Sequence, residues 1–357
     1  MIRAEGSHER LAQASPINIP KRGLGKVSSI HRAQLLDILV KRLPSECVHL
    51  GKRCISVKKR TQDSTTYVTT FADGTAHFAN VIIGADGMRS IVRNAVLDYY
   101  VEPRYQGSQA FRGLFPGEIW EKVVGKELGS SLLVYVGAGK KPKHVVVYPI
   151  DGGQANLVAF SSNPRGLRFS ADSALPRNEA WVQPASYDHA VSHFTDLGPH
   201  VQAALAAVDP ERVTVWKIHL LWPPIPTYVR DGVAVLGDAA HGMPPHCGQG
   251  AGQSLEDAYI LGRLLGHPKT TLATVSRALR VYDEVRRPRG NRVLEFTLES
   301  GDVWESWGPS GDSVEGLKAD MADRLNWIWD HDLEADWERA KRMLEEPATN
   351  GTRGAGA

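Results

Sequence analysis

The sequence predicts a mixed α/β chain, α+β overall, with an antiparallel sheet set between two stretches that carry buried strands. Three observations support this. Val81-Ile82-Ile83 is a short, wholly apolar run, typical of a strand covered on both faces in a parallel sheet. Val233-Ala234-Val235-Leu236 is a second such run, and it leads through a Gly/Pro loop into a helical pattern from about Ser254 to Leu265. Between about Val101 and Arg230 the pattern changes to strand-like runs at Ser131–Val136, His144–Ile150 and Ala155–Phe160. The Gly-rich turns between them suit an antiparallel sheet with one covered face.

The remaining elements follow in order. Met1–Lys26 is polar and rich in Gly, Ser and Pro, and reads as loop. Leu35, Leu36, Leu39, Val40 and Leu43 predict a helix over about Arg32–Leu43, which Pro44 ends. Val48–Val57 and Thr65–Phe71 read as strands, the second closed by the turn signal Asp73-Gly74. Pro176–Val208 looks helical in part, and Trp216–Pro226 is a proline-broken crossing. Leu272–Phe296 carries a helical pattern whose charges read by themselves as a solvated face. Ala348–Ala357 is a Gly-rich tail expected to be unstructured.

Composition narrows the function classes. A chain of 357 residues buries a sizeable core as one large domain or two ordinary ones. The 42 Lys and Arg against 40 Asp and Glu leave a formal charge of +2, so there is no electrostatic case for nucleic acid or a membrane surface. Three cysteines without metal or redox spacing fit a reducing compartment. No stretch approaches the ~20 apolar residues of a membrane span, and the first residues have neither a secretory nor a transit signature. A cytoplasmic location is the expectation; the oligomeric state is left open.

The loop after Val233–Leu236, GDAAHGMPPHCGQGAG, carries the chemistry. A strand feeding a glycine-rich turn that opens a helix brings backbone N–H groups and a positive helix end to one place, where an anion can bind. Asp238 stands where the strand ends, suited to accept hydrogen bonds from ligand hydroxyls. Gly248, Gly250 and Gly252 let a flat or charged ligand approach the backbone. The alternative is a surface turn whose glycines relieve strain. Asp86 likewise reads as a turn residue and helix N-cap when taken singly. His241, His246 and Cys247 match no standard zinc pattern, so no metal is expected.

These residues closely resemble the single-component FAD-dependent aromatic hydroxylases. Gly237 to His241, Pro245, Gly248 to Gly250 and Glu256 to Ala258 reproduce that family's second FAD motif. Ile30-His31-Arg32 with Leu35 resembles its His-Arg-x-x-Leu segment, which implies that Arg32 contacts the flavin. Gly84 to Ser90 with Arg93 resembles its Asp-Gly motif, implying FAD and nicotinamide binding around Asp86. Phe111-Arg112-Gly113 and Tyr148-Pro149-Ile150 resemble its substrate-domain strands. By that resemblance Arg112 pairs with a carboxylate or phenolate and Tyr148 orients the substrate, with Tyr135 an equal rival. Tyr282 to Arg289 and Trp327 to Asp332 match the fungal salicylate hydroxylase-like subgroup.

The resemblance implies an incomplete Rossmann-like FAD domain with an inserted substrate domain and a C-terminal helical extension. The expected divisions are 1–100 and 231–300 for the FAD domain, 101–230 for the substrate domain, 301–347 for the extension and 348–357 for the tail. The family's opening Gly-x-Gly-x-x-Gly unit is expected to be missing. The implied reaction uses NADPH or NADH to reduce FAD, which takes up O2 at flavin C4a and passes one oxygen to an aromatic ring, phenolic or salicylate-like. Cofactor contacts are expected from Arg32, Asp86, Gly237, Asp238, Pro245, Gly248, Gly250, Ala251 and Gly252. The competing expectation is a non-catalytic remnant that binds a small molecule or a partner.

Overall fold

A computed structural model describes residues 2–3, 32–62, 64–137, 142–163, 169 and 179–346. The readings of most of Met1–Lys26, of His31, of part of Pro176–Val208 and of the tail fall outside these. The chain folds into two compact units. The first comprises Met1–Gly51, Arg104–Leu220 and Phe296–Asp330; the second comprises Lys52–Pro103, Leu221–Glu295 and His331–Ala357.

The first unit is built on a seven-stranded sheet in the order Ile2–Arg3, Leu133–Val136, Lys143–Ile150, Gln154–Ser162, Arg104–Pro116, Thr214–Leu220 and Val182–Pro184. Every pairing is antiparallel except that of Ile2–Arg3 with Leu133–Val136. Ile2–Arg3 corrects the loop reading of the chain start: its pairing partner lies far along the sequence and leaves no local signal.

Side chains alternate across this sheet. One face sends Phe111, Phe115, Tyr135, Val145, Val147 and Leu157 into a core closed by the helices Gly117–Val124, Tyr187–Ser192 and Pro199–Ala207. The other face carries Ala110, Val158, Phe160 and Ile218 in a smaller cluster. At its edge Val134 and Val136 pack on Val303, Trp304, Leu317 and Met321.

In the second unit Val233–Val235, buried throughout, pairs in parallel with Ile82–Gly84 and antiparallel with Val229–Arg230. Cys54–Lys59, Tyr67–Phe71 and Ala76–Ala79 form a separate antiparallel sheet. The expected strand Val48–Val57 starts later, at Cys54, because the chain first turns at Gly51, whose φ is 74°. The expected Arg32–Leu43 helix ends at Val40.

Helix Gly250–Leu265 begins a turn before the expected Ser254. Ser254 Oγ donates to Gly250 O at 2.9 Å and Gln253 N to Gln249 O at 2.9 Å, which closes the glycine turn into the helix. The long helix Val275–Trp304 extends past the expected Phe296, and its first part lies in this unit. Helix Leu333–Glu345 is capped by Asp332, which accepts from Ala335 N at 3.1 Å. Its Trp337, Ala340 and Leu344, one helical stripe, enter the same core as Val233–Val235, Ile260, Leu264 and Tyr282. Among the described residues no helix is long and apolar enough to cross a membrane.

Candidate active site

Parallel pairing of two strands brings their carboxyl ends together, the place where open α/β sheets bind ligands. Gly84 lies opposite Val235, and Leu236 N donates to Gly84 O at 3.0 Å. The turn after Gly84 and the turn after Leu236 therefore start side by side. Arg93 ties them together. Its fully buried guanidinium donates to Ala239 O at 3.1 Å, to Met88 O at 2.7 Å and to Val101 O at 3.1 Å. Burial lowers its pKa from the ordinary value, while nearby Asp86 opposes the shift. Asp86 itself holds the chain entering helix Val92–Leu97, whose N-cap position is Ile91: Oδ2 accepts from Ile91 N at 2.7 Å and Val92 N at 3.2 Å, and Oδ1 from Ser90 Oγ at 2.5 Å. Its carboxylate is committed to the turn.

Gly237 has φ 59° and ψ −141°, backbone open in practice only to glycine, and a Cβ there would meet Ser254 Oγ at 2.8 Å. This bend presents Asp238. The Asp238 side chain is exposed, and no donor among the described residues engages it. Protein crowded around it nevertheless raises its pKa, an effect His241 partly offsets.

Opposite stands the start of helix Gly250–Leu265. Its first N–H groups, like those of any helix, lack intrahelical acceptors, and here no capping side chain or first-turn acid stands in for them. A Cβ built on Gly250 would come no closer than 3.8 Å to any neighbour, there Asp238 Oδ1, and one on Gly252 no closer than 3.8 Å, to Gln249 Oε1. The protein itself does not require glycine at these two positions. They leave open space in front of the turn. Gly248, at φ 64°, turns the chain out of the 3-10 turn Pro245–Cys247, and Pro245, Ala251 and Gly252 lie on the exposed side of the loop. A carboxylate without a partner, facing N–H donors across open glycines, fits the ribityl hydroxyls and the electron-rich pyrimidine edge of a flavin.

Beneath the loop lies a buried ionic network that the sequence reading did not assign. Asp257 accepts from Gly237 N at 3.0 Å, from His241 Nε2 at 2.6 Å and from Arg286 Nε at 2.9 Å. Arg286 also donates to Glu256 Oε2 at 2.7 Å and to Gln253 Oε1 at 2.9 Å, and Arg289 grips Glu256 through two bonds at 2.7 and 2.9 Å. Burial opposes ionisation of Asp257 and Glu256, but the cationic partners prevail and hold both carboxyls below their ordinary pKa. The same helix sends Tyr282 Oη to Val235 O at 3.0 Å and receives Tyr228 N on Asp283 at 2.7 Å. The charged run that read as a solvated face is thus largely an inward-facing clamp. The presence of Glu256 and Asp257 within the family motif was the available signal.

In the sheet unit, Arg112 and Tyr148 project from one face: Arg112 lies opposite Val158, and Tyr148 opposite Asn156 two positions along. Both are half-buried. The Arg112 guanidinium sits 4.8 Å from the Trp216 ring centroid, and no acid among the described residues pairs with it. Tyr148 Oη accepts from Asn156 Nδ2 at 2.6 Å, which leaves its own proton to donate. Tyr135, the rival tyrosine, lies on the opposite face, fully buried against Trp120, and burial pushes its pKa well up. Arg32 opens the exposed helix Arg32–Val40 of the same unit.

Comparison with known proteins gives the family. The FAD binding domain family profile matches residues 140–297. A salicylate hydroxylase of Pseudomonas putida is 35% identical over 94% of this chain and 76% of its own length. The chain belongs to the FAD-dependent aromatic hydroxylases. The FAD-dependent monooxygenase pigN of Monascus ruber is 32% identical over 89% of the chain and 72% of its own length. A solved salicylate hydroxylase substrate complex superposes with a TM-score of 0.82 at 33% identity, over 97% of this chain and 82% of that one. The present hydroxylase is accordingly an FAD-dependent monooxygenase with NAD(P)H as the family's typical reductant.

Proposed function

We propose that this hydroxylase acts on a small anionic aromatic ring, phenolic or salicylate-like, with O2 and either NADPH or NADH. The observation that carries the reading is the exposed, unpartnered Asp238 carboxylate beside the uncapped N-terminus of helix Gly250–Leu265. Asp238 accepts from ribityl hydroxyls. The N–H groups of Gly250, Ala251 and Gly252 face the edge where negative charge collects on reduction, a preorganised form of stabilisation. Gly237 and Gly248 shape the loop, Pro245 walls the reacting side and Asp86 fixes the adjoining turn. When bound, FAD supplies the redox and oxygen-transfer chemistry; the chain supplies position and water exclusion.

On the substrate side, Arg112 offers a rigid fork to a carboxylate or phenolate and Tyr148 donates its proton to a ring oxygen. Salicylate is the substrate class suggested by the named relatives. Free thiols at Cys47 and Cys54 favour a reducing, cytoplasmic setting. A non-catalytic scaffold would have no reason to keep an open glycine cradle beside an unpartnered carboxylate.

The test is a flavin titration followed by NAD(P)H oxidation with and without salicylate. Uptake of FAD and substrate-stimulated oxidation are expected. Arg112→Met is expected to raise KM for an aromatic acid about tenfold or more, the loss of one charge-assisted bond, with FAD affinity unchanged. Protein that takes up no added FAD overturns the reading.

A further inference from the structure

We infer that Asp257, His241 and Arg286 are positioning residues that set where Asp238 stands relative to the N–H row of Gly250–Gly252. The inference rests on the flavin reading above. Asp257 lies on the helix whose first turn is that row, and it also holds the backbone N–H of Gly237, the residue immediately before Asp238. One carboxylate therefore fixes both halves of the cradle to each other. Gly237 needs such a hold, because its backbone conformation is intrinsically uncommon and Ala240 N and His241 N both donate to its carbonyl, at 2.8 and 2.9 Å.

His241 closes a short ring. Its backbone N–H reaches Gly237 O while its Nε2 reaches the Asp257 oxygen that also serves Gly237 N. Arg286, fully buried, takes the other oxygen of Asp257 and spans Glu256 and Gln253 on the same helix. It therefore orients Asp257 without pointing to the open side of the loop. None of the three needs to touch flavin. Their effect on it runs through the loop backbone.

Nor is bulk stability a sufficient account of the arrangement. A buried ion pair often yields little net stability over an apolar replacement, and in some proteins such a pair serves to fix one geometry. A small displacement of preorganised donors is enough to weaken a ligand.

The test uses full-length protein freed of flavin, with FAD affinity read from quenching of flavin fluorescence and stability from urea unfolding without FAD. Asp257→Asn is isosteric and is expected to weaken FAD binding about ten- to a hundredfold, the loss of one well-placed charge-assisted bond at the ligand. The visible flavin spectrum should shift as its environment changes. His241→Gln, which keeps a donor for Asp257, should stay within about threefold of wild type, whereas His241→Ala should fall about tenfold.

Unchanged FAD affinity and spectrum in folded Asp257→Asn overturn the positioning role, and so do His241→Gln and His241→Ala that weaken FAD equally. If Asp257→Asn does not fold, the His241 pair carries the decision. Wild-type protein that takes up no FAD overturns the flavin reading itself, a different outcome from wild type that binds while every variant binds alike.

Discussion

Gly250→Ala separates what the loop does for the fold from what it does for the ligand. A Cβ at Gly250 would stand 3.8 Å from Asp238 Oδ1 and 3.9 Å from Met243 Cγ, ordinary contact distances, so the protein accommodates the methyl group without moving. Gly250 is the first residue of its helix, and alanine there removes some chain entropy from the unfolded state. Stability without flavin should stay the same or rise by at most about 1 kcal/mol. The ligand meets the opposite effect. A flavin lying against the bare Cα must retreat by about 1.5 Å, the length of the new bond, and loses one or two N–H contacts to its electron-rich edge. At about 1.5–3 kcal/mol for a bond to a charged group, that is about ten- to a hundredfold in FAD affinity. Urea unfolding of the flavin-free protein and fluorescence titration with FAD measure the two quantities separately. A variant with unchanged stability and unchanged FAD affinity would refute the placement of the flavin against this turn.

Two further expectations concern charge. Asp238 has a raised pKa in the folded protein, so its contribution to stability is full at low pH and is lost as pH rises through that pKa. Its role toward ribityl hydroxyls needs the ionised form, and FAD should be released on acidification in a window beginning above the ordinary 3.8. Asp257 and Glu256 run the other way: their depressed pKa values give stability that persists above the ordinary carboxylate range and is lost only below it. Flavin fluorescence and near-UV circular dichroism followed together should therefore show release before unfolding; coincident transitions would contradict the assignment. Arg93→Met should cost about 3 kcal/mol or more, because three carbonyls of the two adjoining turns lose their shared donor. Urea unfolding checks it, and a loss below about 1 kcal/mol would mean that Arg93 does not tie the turns.

Much of the fold and the residues of the candidate loop were legible in the amino-acid order. Val233–Val235 and Ile82–Gly84 stood out because strands buried on both faces must be apolar throughout. The glycine loop stood out because its backbone demands, such as φ 59° at Gly237, are written in residue type. Asp86 was readable as a turn residue, a local interaction, although the N-cap position itself falls to Ile91.

What lay beyond reach was decided by partners distant in sequence. Whether Tyr135 or Tyr148 faces the open side depends on which sheet face Gly117–Val124 and Pro199–Ala207 cover, and strand alternation says only that the two faces differ. The charged run around Arg286 has a composition compatible with solvent. It turns inward only because helix packing sets Arg286 against Asp257, 29 positions away, and the desolvation of each charge is compensated by the other. Residue type thus determined which groups are proposed to meet the cofactor, since a glycine turn and the carboxylate beside it are local features. Tertiary packing decided what holds those groups in place, because a buried charge is tolerated only where the whole fold brings its counter-charge.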